Sequence, residues 1–171
     1  PPFGHDGEKY LSEVSESYGL GQFHHNLQSL RIVDTVAKKG TGLNLTFQVR
    51  EGLISHDGEV HDQNLEPDSN KSEEDIAAFV EAKEAGEDIS IRPMTLEGCV
   101  VRITDTIAYI GQDIEDAIRI GLISRDQLPK ASTDILGNNN GKIMETLVKD
   151  VVENSYRNNY VCFSSKVSDA L

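Results

Sequence analysis

Tryptophan is absent from this sequence, aromatic residues make up only 6% of it, and cysteine occurs twice. Cys99 and Cys162 lie far apart and form no metal-ligand spacing. That excludes a disulfide framework or a cysteine-rich metal knot, and a reduced, cytoplasmic setting is the simpler expectation. No run of about 18 apolar residues exists, so a membrane-spanning helix is excluded on length. The residues from Pro1 onward show no basic-then-apolar leader pattern. Cations are scarce as well. Sixteen Lys and Arg stand against 29 Asp and Glu, a formal charge of −13. So acidic a chain is not a general nucleic-acid binder, because phosphate affinity needs a basic face.

What is there is helical periodicity. Over Leu96–Ile123 the residues Ile103, Ile107, Ile110, Ile114 and Ile118 fall on one side of a helix. Asp105, Tyr109 and Asp113 recur every fourth residue on the other side, one turn apart. Thr95 suits the N-cap and Gly121 a left-handed C-terminal cap. Taken alone, the acidic side is the solvated face of an amphipathic helix.

The same period runs through the rest of the chain. Residues 5–18 form a predicted helix stopped by Gly19, with His5 and Glu8 three apart on one face. A second is expected from His25 to Lys39 on Leu27, Leu30, Val33, Val36 and Ala37, and a third from Asn44 to Ser55 with Leu45, Phe47, Val49 and Leu53 or Ile54 inward. Residues 57–71 lack apolar periodicity and are expected as a long exposed loop. Ser72 with Asp75 reads as a capping box opening a helix that stops at Gly86, and Ser124 with Gln127 as the cap of a short turn before Pro129. Residues 128–141 are expected as a loop, Lys142–Asn154 as a helix on Ile143, Leu147, Val151 and Val152, and the tail as a strand or helix start. The expected fold class is all-α, one domain over residues 1–171 that is large enough to bury one core.

Several stretches resemble the HD-domain deoxynucleoside triphosphate triphosphohydrolases, the dGTPase-like family. PPFGHDGEKYL at 1–11, FHHNLQSLRIV at 23–33, LTFQVREGLISH at 45–56 and DTIAY at 105–109 occur in the family's order. The resemblance implies an HD-domain-like helical bundle and metal-dependent release of inorganic triphosphate from a deoxynucleoside triphosphate. It also implies a divalent cofactor, Mg2+ or Mn2+, and a homo-oligomer. Asp105 matches the aspartate that closes the metal site. His5, Glu8 and His25 match a phosphate-side histidine and a carboxylate–histidine pair for proton transfer, and Tyr109 and Asp113 match sugar contacts.

The three visible His-Asp pairs, at 5–6, 56–57 and 61–62, are not the family's metal dyad. By resemblance that dyad and a further ligand histidine fall upstream of Pro1, so the chain is expected to be part of a longer protein. His56 and His61 are expected at the surface, His56 as support for the site, and His24 is expected to be exposed. Two other readings stand beside the first: another HD-superfamily nucleotide phosphohydrolase, or a helical domain that binds nucleotide or a partner without catalysis.

Overall fold

A computed structural model describes residues 4–58, 64–87 and 89–171, the side chain of His5 excepted. Among these residues the regular structure is helical, with a single isolated antiparallel bridge between Leu65 and Val161. The fold is all-α, in keeping with an HD-like helical architecture. No described helix is long and apolar enough to cross a membrane. The chain gathers into two compact units: Pro1–Asp57 with Asp68–Gly98, and Gly58–Pro67 with Cys99–Leu171.

In the first unit α1 spans Gly4–Ser17 and α2 spans His25–Arg31, followed by a π-helical turn at Ile32–Val36 and the short α3 at Ala37–Gly40. The helix expected through Lys39 is therefore interrupted. Lys38 and Lys39 adopt left-handed φ values of 49° and 60°. The cause is a tight return of the chain: Gly42 donates to the Ala37 carbonyl at 3.0 Å and Leu43 to that of Val33 at 2.7 Å. Gly42 sits at φ +73°, where a Cβ would collide with the Asp34 carbonyl, so only glycine permits this return.

The next helix, α4, spans Phe47–Ile54, starting three residues later than expected because Asn44 is left-handed at φ 52°. Its inward residues are Glu51, Gly52 and Ile54, and Val49, expected inside, is 49% exposed. Leu30, Ile54, Ile76 and Phe79 form the core of this unit, flanked by Leu27, Val33, Phe47 and Val80. Arg50 forks onto Asp34 at 3.0 and 2.9 Å and reaches Glu73 at 3.0 Å. These partners, Asp34 first, hold its guanidinium above the ordinary value. Glu51 is wholly buried and takes Lys71 Nζ at 2.9 Å on one oxygen and the Met94 N–H at 3.0 Å on the other. Ser72 opens α5, Glu73–Glu84, with the expected capping box, donating its N–H to Asp75 at 2.7 Å.

The helix α6 runs Leu96–Arg119, and Thr95 caps it by accepting the Gly98 N–H at 3.0 Å. Gly121 closes its end at φ +72°, as expected. Ile103 and Ile107 are fully buried, and Ile110, Ile114 and Ile118 partly so. In the second unit a 3-10 turn at Arg125–Gln127 precedes α7 at Lys130–Leu136, α8 at Asn140–Ser155 and α9 at Ser165–Ser168.

Three expectations change here. Residues 128–141 are not all loop: α7 forms on polar residues and anchors through buried Leu136. Val152 faces out at 58% exposure, and α8 buries Ile143, Leu147 and Val151. Leu65 is buried and pairs with Val161 at 2.9 and 3.1 Å, so the chain is pinned at Leu65 where an exposed loop was expected. Both cysteines are buried thiols, and burial pushes that of Cys162 up.

Candidate proton-transfer site

The first four N–H groups of a helix lack intrahelical partners and need acceptors from elsewhere. At the start of α2 the N-cap residue His24 supplies none through its side chain. The acceptor comes from α1 instead. Glu8 Oε1 takes the His25 backbone N–H at 2.8 Å, and Oε2 of the same carboxylate lies 2.7 Å from His25 Nδ1. One side chain thus starts a helix and orients the ring on its first residue. A carboxylate at a helix N-terminus also meets the positive end of the dipole.

The far side of the His25 ring meets the other end of a helix. The last carbonyls of α4 are orphans of the same kind. The Asn26 amide, itself buried, donates to the Ile54 carbonyl at 3.1 Å, and His56 Nδ1 lies 2.7 Å from the Leu53 carbonyl. The His56 ring then stands edge-on to His25, with the two Nε2 atoms 3.1 Å apart. Glu8, His25 and His56 form a continuous chain, each half-buried or nearly so. A histidine oriented by a carboxylate is the usual means of moving a proton near neutral pH.

On α6, Asp105, Tyr109 and Asp113 keep their one-turn spacing, about 6 Å of rise per step. Asp105 is half-buried, Tyr109 is 48% exposed and Asp113 is exposed. Among the described residues no group of three or more His, Cys, Asp or Glu side chains is placed to hold a metal ion. A catalytic divalent ion needs several protein or water ligands, so Asp105 together with its described neighbours does not make such a site.

Relatives carry the next step. The chain is 35% identical over 169 residues, 99% of its length, to a protein of Caldanaerobacter subterraneus subsp. tengcongensis. It is 36% identical over 154 residues to one of Desulfatibacillum aliphaticivorans, and 38% over 156 residues to one of Clostridium perfringens. These alignments cover 90% and 91% of the chain. All three relatives are named deoxyguanosinetriphosphate triphosphohydrolase-like proteins. Over nine tenths or more of its length the chain is similar to these dGTPase-like proteins. It spans 40%, 37% and 36% of the length of these relatives. No family model and no solved structure matches it.

For a chain with this similarity the placement of the expected residues is uneven. Glu8 and His25, seventeen positions apart, are brought into contact. Asp105, Tyr109 and Asp113 line up on α6, in the second unit. His5 lies on α1, but its side chain falls outside the described residues, as do His61 and Asp62. His24 is not exposed as expected: it is partly buried, and its Nε2 has no hydrogen-bond partner among the described residues. His56 and Asn26 contribute more than the sequence indicated. The one available signal was His-Asn at 25–26, an amide beside the ring that starts the helix.

Proposed function

We propose that the intact protein hydrolyses deoxynucleoside triphosphates to the deoxynucleoside and inorganic triphosphate. The setting we infer is the cytoplasm, with the protein acting as a homo-oligomer. The observation that supports this most is the Glu8–His25 pair, in a chain whose relatives carry the triphosphohydrolase name. Breaking the bond between the 5′-oxygen and the first phosphorus leaves an alkoxide-like oxygen, which departs readily only if it receives a proton. His25, oriented by Glu8, is the group that would supply it, and His5 would lie against the phosphates.

A divalent cation, Mg2+ or Mn2+, would supply charge neutralisation and an activated water. Asp105 is the ligand this chain would contribute, and the others would come from outside residues 1–171. Tyr109 and Asp113 follow at one and two turns, about 6 and 12 Å along the helix. In this reading Asp113 accepts the sugar 3′-hydroxyl, and Tyr109 fills the space beside the 2′-carbon and disfavours ribonucleotides.

The test is product identity. The intact protein with Mg2+ or Mn2+ and a deoxynucleoside triphosphate is expected to release tripolyphosphate and the free deoxynucleoside, and Asp105→Ala to release none. Release of pyrophosphate or orthophosphate would place the protein in another hydrolase class. Wild-type turnover by Asp105→Ala would remove that residue from the metal site.

A further inference from the structure

We propose that His56 is a positioning residue that keeps His25 doubly protonated and ready to donate. The inference rests on the reading of His25 as proton donor and follows from counting hydrogens along the Glu8–His25–His56 chain. A carbonyl oxygen only accepts, so the 2.7 Å contact between His56 Nδ1 and the Leu53 carbonyl places a hydrogen on Nδ1. A neutral imidazole with its hydrogen there has a bare lone pair on Nε2. That lone pair points at His25 Nε2, 3.1 Å away, and two facing lone pairs would repel. His25 Nε2 therefore carries a hydrogen and donates it to His56.

On the other side of the ring His25 Nδ1 faces the Glu8 carboxylate at 2.7 Å, which also only accepts. His25 thus holds hydrogens on both nitrogens, an imidazolium with Glu8 as its counter-ion. Glu8 Oε1 already accepts the His25 backbone N–H, so the carboxylate is placed as an acceptor on both oxygens and the charge is assigned to the ring. The departing oxygen of the substrate must compete with His56 for the Nε2 hydrogen. Once the hydrogen has left, two lone pairs face each other at Nε2, and the ring is driven to take up another proton from water.

The geometry supplies a test that separates this role from simple capping. Asparagine at 56 places its amide where Nδ1 sits, keeping the bond to Leu53 but offering His25 no acceptor. Glutamine places its carbonyl oxygen near the Nε2 position, keeping the acceptor and losing the cap. The intact protein, labelled with 15N at histidine, is expected to show His25 with two protonated nitrogens and His56 with one protonated Nδ1. His56→Asn is expected to leave His25 with one protonated nitrogen and to lower kcat by about 10–100-fold, the range typical of losing the partner that orients a metal-bound histidine. His56→Gln is expected to keep the imidazolium signature and most of kcat. The opposite pattern, with Asn active and Gln impaired, overturns the proposal in favour of a cap. So does a wild-type His56 carrying its hydrogen on Nε2. If the wild-type protein shows the expected signature but releases no tripolyphosphate, the protonation assignment stands and the hydrolase reading fails.

Discussion

Glu8 in the first unit and Glu115 in the second are built the same way. Each carboxylate sits on one helix, takes the first N–H of a later helix on Oε1, and holds a cationic or ionisable side chain on Oε2. For Glu8 the partners are the His25 N–H at 2.8 Å and the His25 ring at 2.7 Å. For Glu115 they are the Asn140 N–H at 3.2 Å and Arg125 Nη2 at 2.7 Å. The buried Glu51 does the same with Met94 and Lys71, where the N–H belongs to the turn before a helix. The clamp itself is therefore a scaffold device and implies no chemistry. What sets Glu8 apart is its partner. Arginine stays charged at any ordinary pH and has no acceptor, whereas histidine gains and loses a proton near neutrality and has a second nitrogen for the reaction.

The comparison breaks most visibly in turnover. His25→Ala in the intact protein is expected to lower kcat by about 10²–10⁴-fold, the usual contribution of a positioned acid. Arg125→Ala should leave kcat unchanged. A loss confined to KM for His25→Ala would move the ring from chemistry to binding.

Stability gives the next largest contrast, ordered by burial. Side-chain exposure is 0% at Glu51, 14% at Glu8 and 28% at Glu115. Lys71→Ala strands a buried charge and is expected to cost about 3–5 kcal/mol in urea unfolding. Arg125→Ala removes a solvent-exposed partner and should cost much less, with a cost that shrinks further in high salt. Equal losses for the two variants would show that burial does not rank these clamps.

The smallest effect is one of pH. Arg125, and then the Asn140 N–H, hold the Glu115 carboxyl below the ordinary carboxylate range. A depressed value means stability that is present above the unfolded-state value and lost as pH falls through the folded one. Amide exchange at the start of α8 is therefore expected to quicken in acid below the ordinary carboxylate range. Glu115→Gln should remove that added sensitivity, and an unchanged acid response in this variant would show that another group titrates.

Local signals were legible in the sequence. The Ser72–Asp75 and Ser124–Gln127 caps, the stop at Gly121 and the buried stripe through Ile103 and Ile107 follow from spacings of three or four residues. The clamps were not legible from spacing. Glu8 and His25 were paired only through the family resemblance, because no periodic rule links positions seventeen apart. Glu51, between Arg50 and Gly52, reads as an outward charge, and its burial is set by Lys71 and Met94, twenty and 43 residues away. α7 escaped notice because its residues are polar and Leu136 is its one buried side chain. His56 looked like a surface residue because the Leu53 carbonyl that fixes its tautomer carries no side-chain signature at all.

The two oxygens of Glu8 answer to different demands, and that has a consequence for descent. A lineage that abandoned the reaction would still need an acceptor at the start of α2, so selection for a folded protein alone would retain Glu8. Nothing in that demand retains an imidazole at position 25, since any residue but proline there offers the same backbone N–H. Among relatives, Glu8 without His25 should therefore mark proteins that kept the architecture and gave up catalysis. Finding Glu8 alone in a relative would therefore be no evidence of an enzyme.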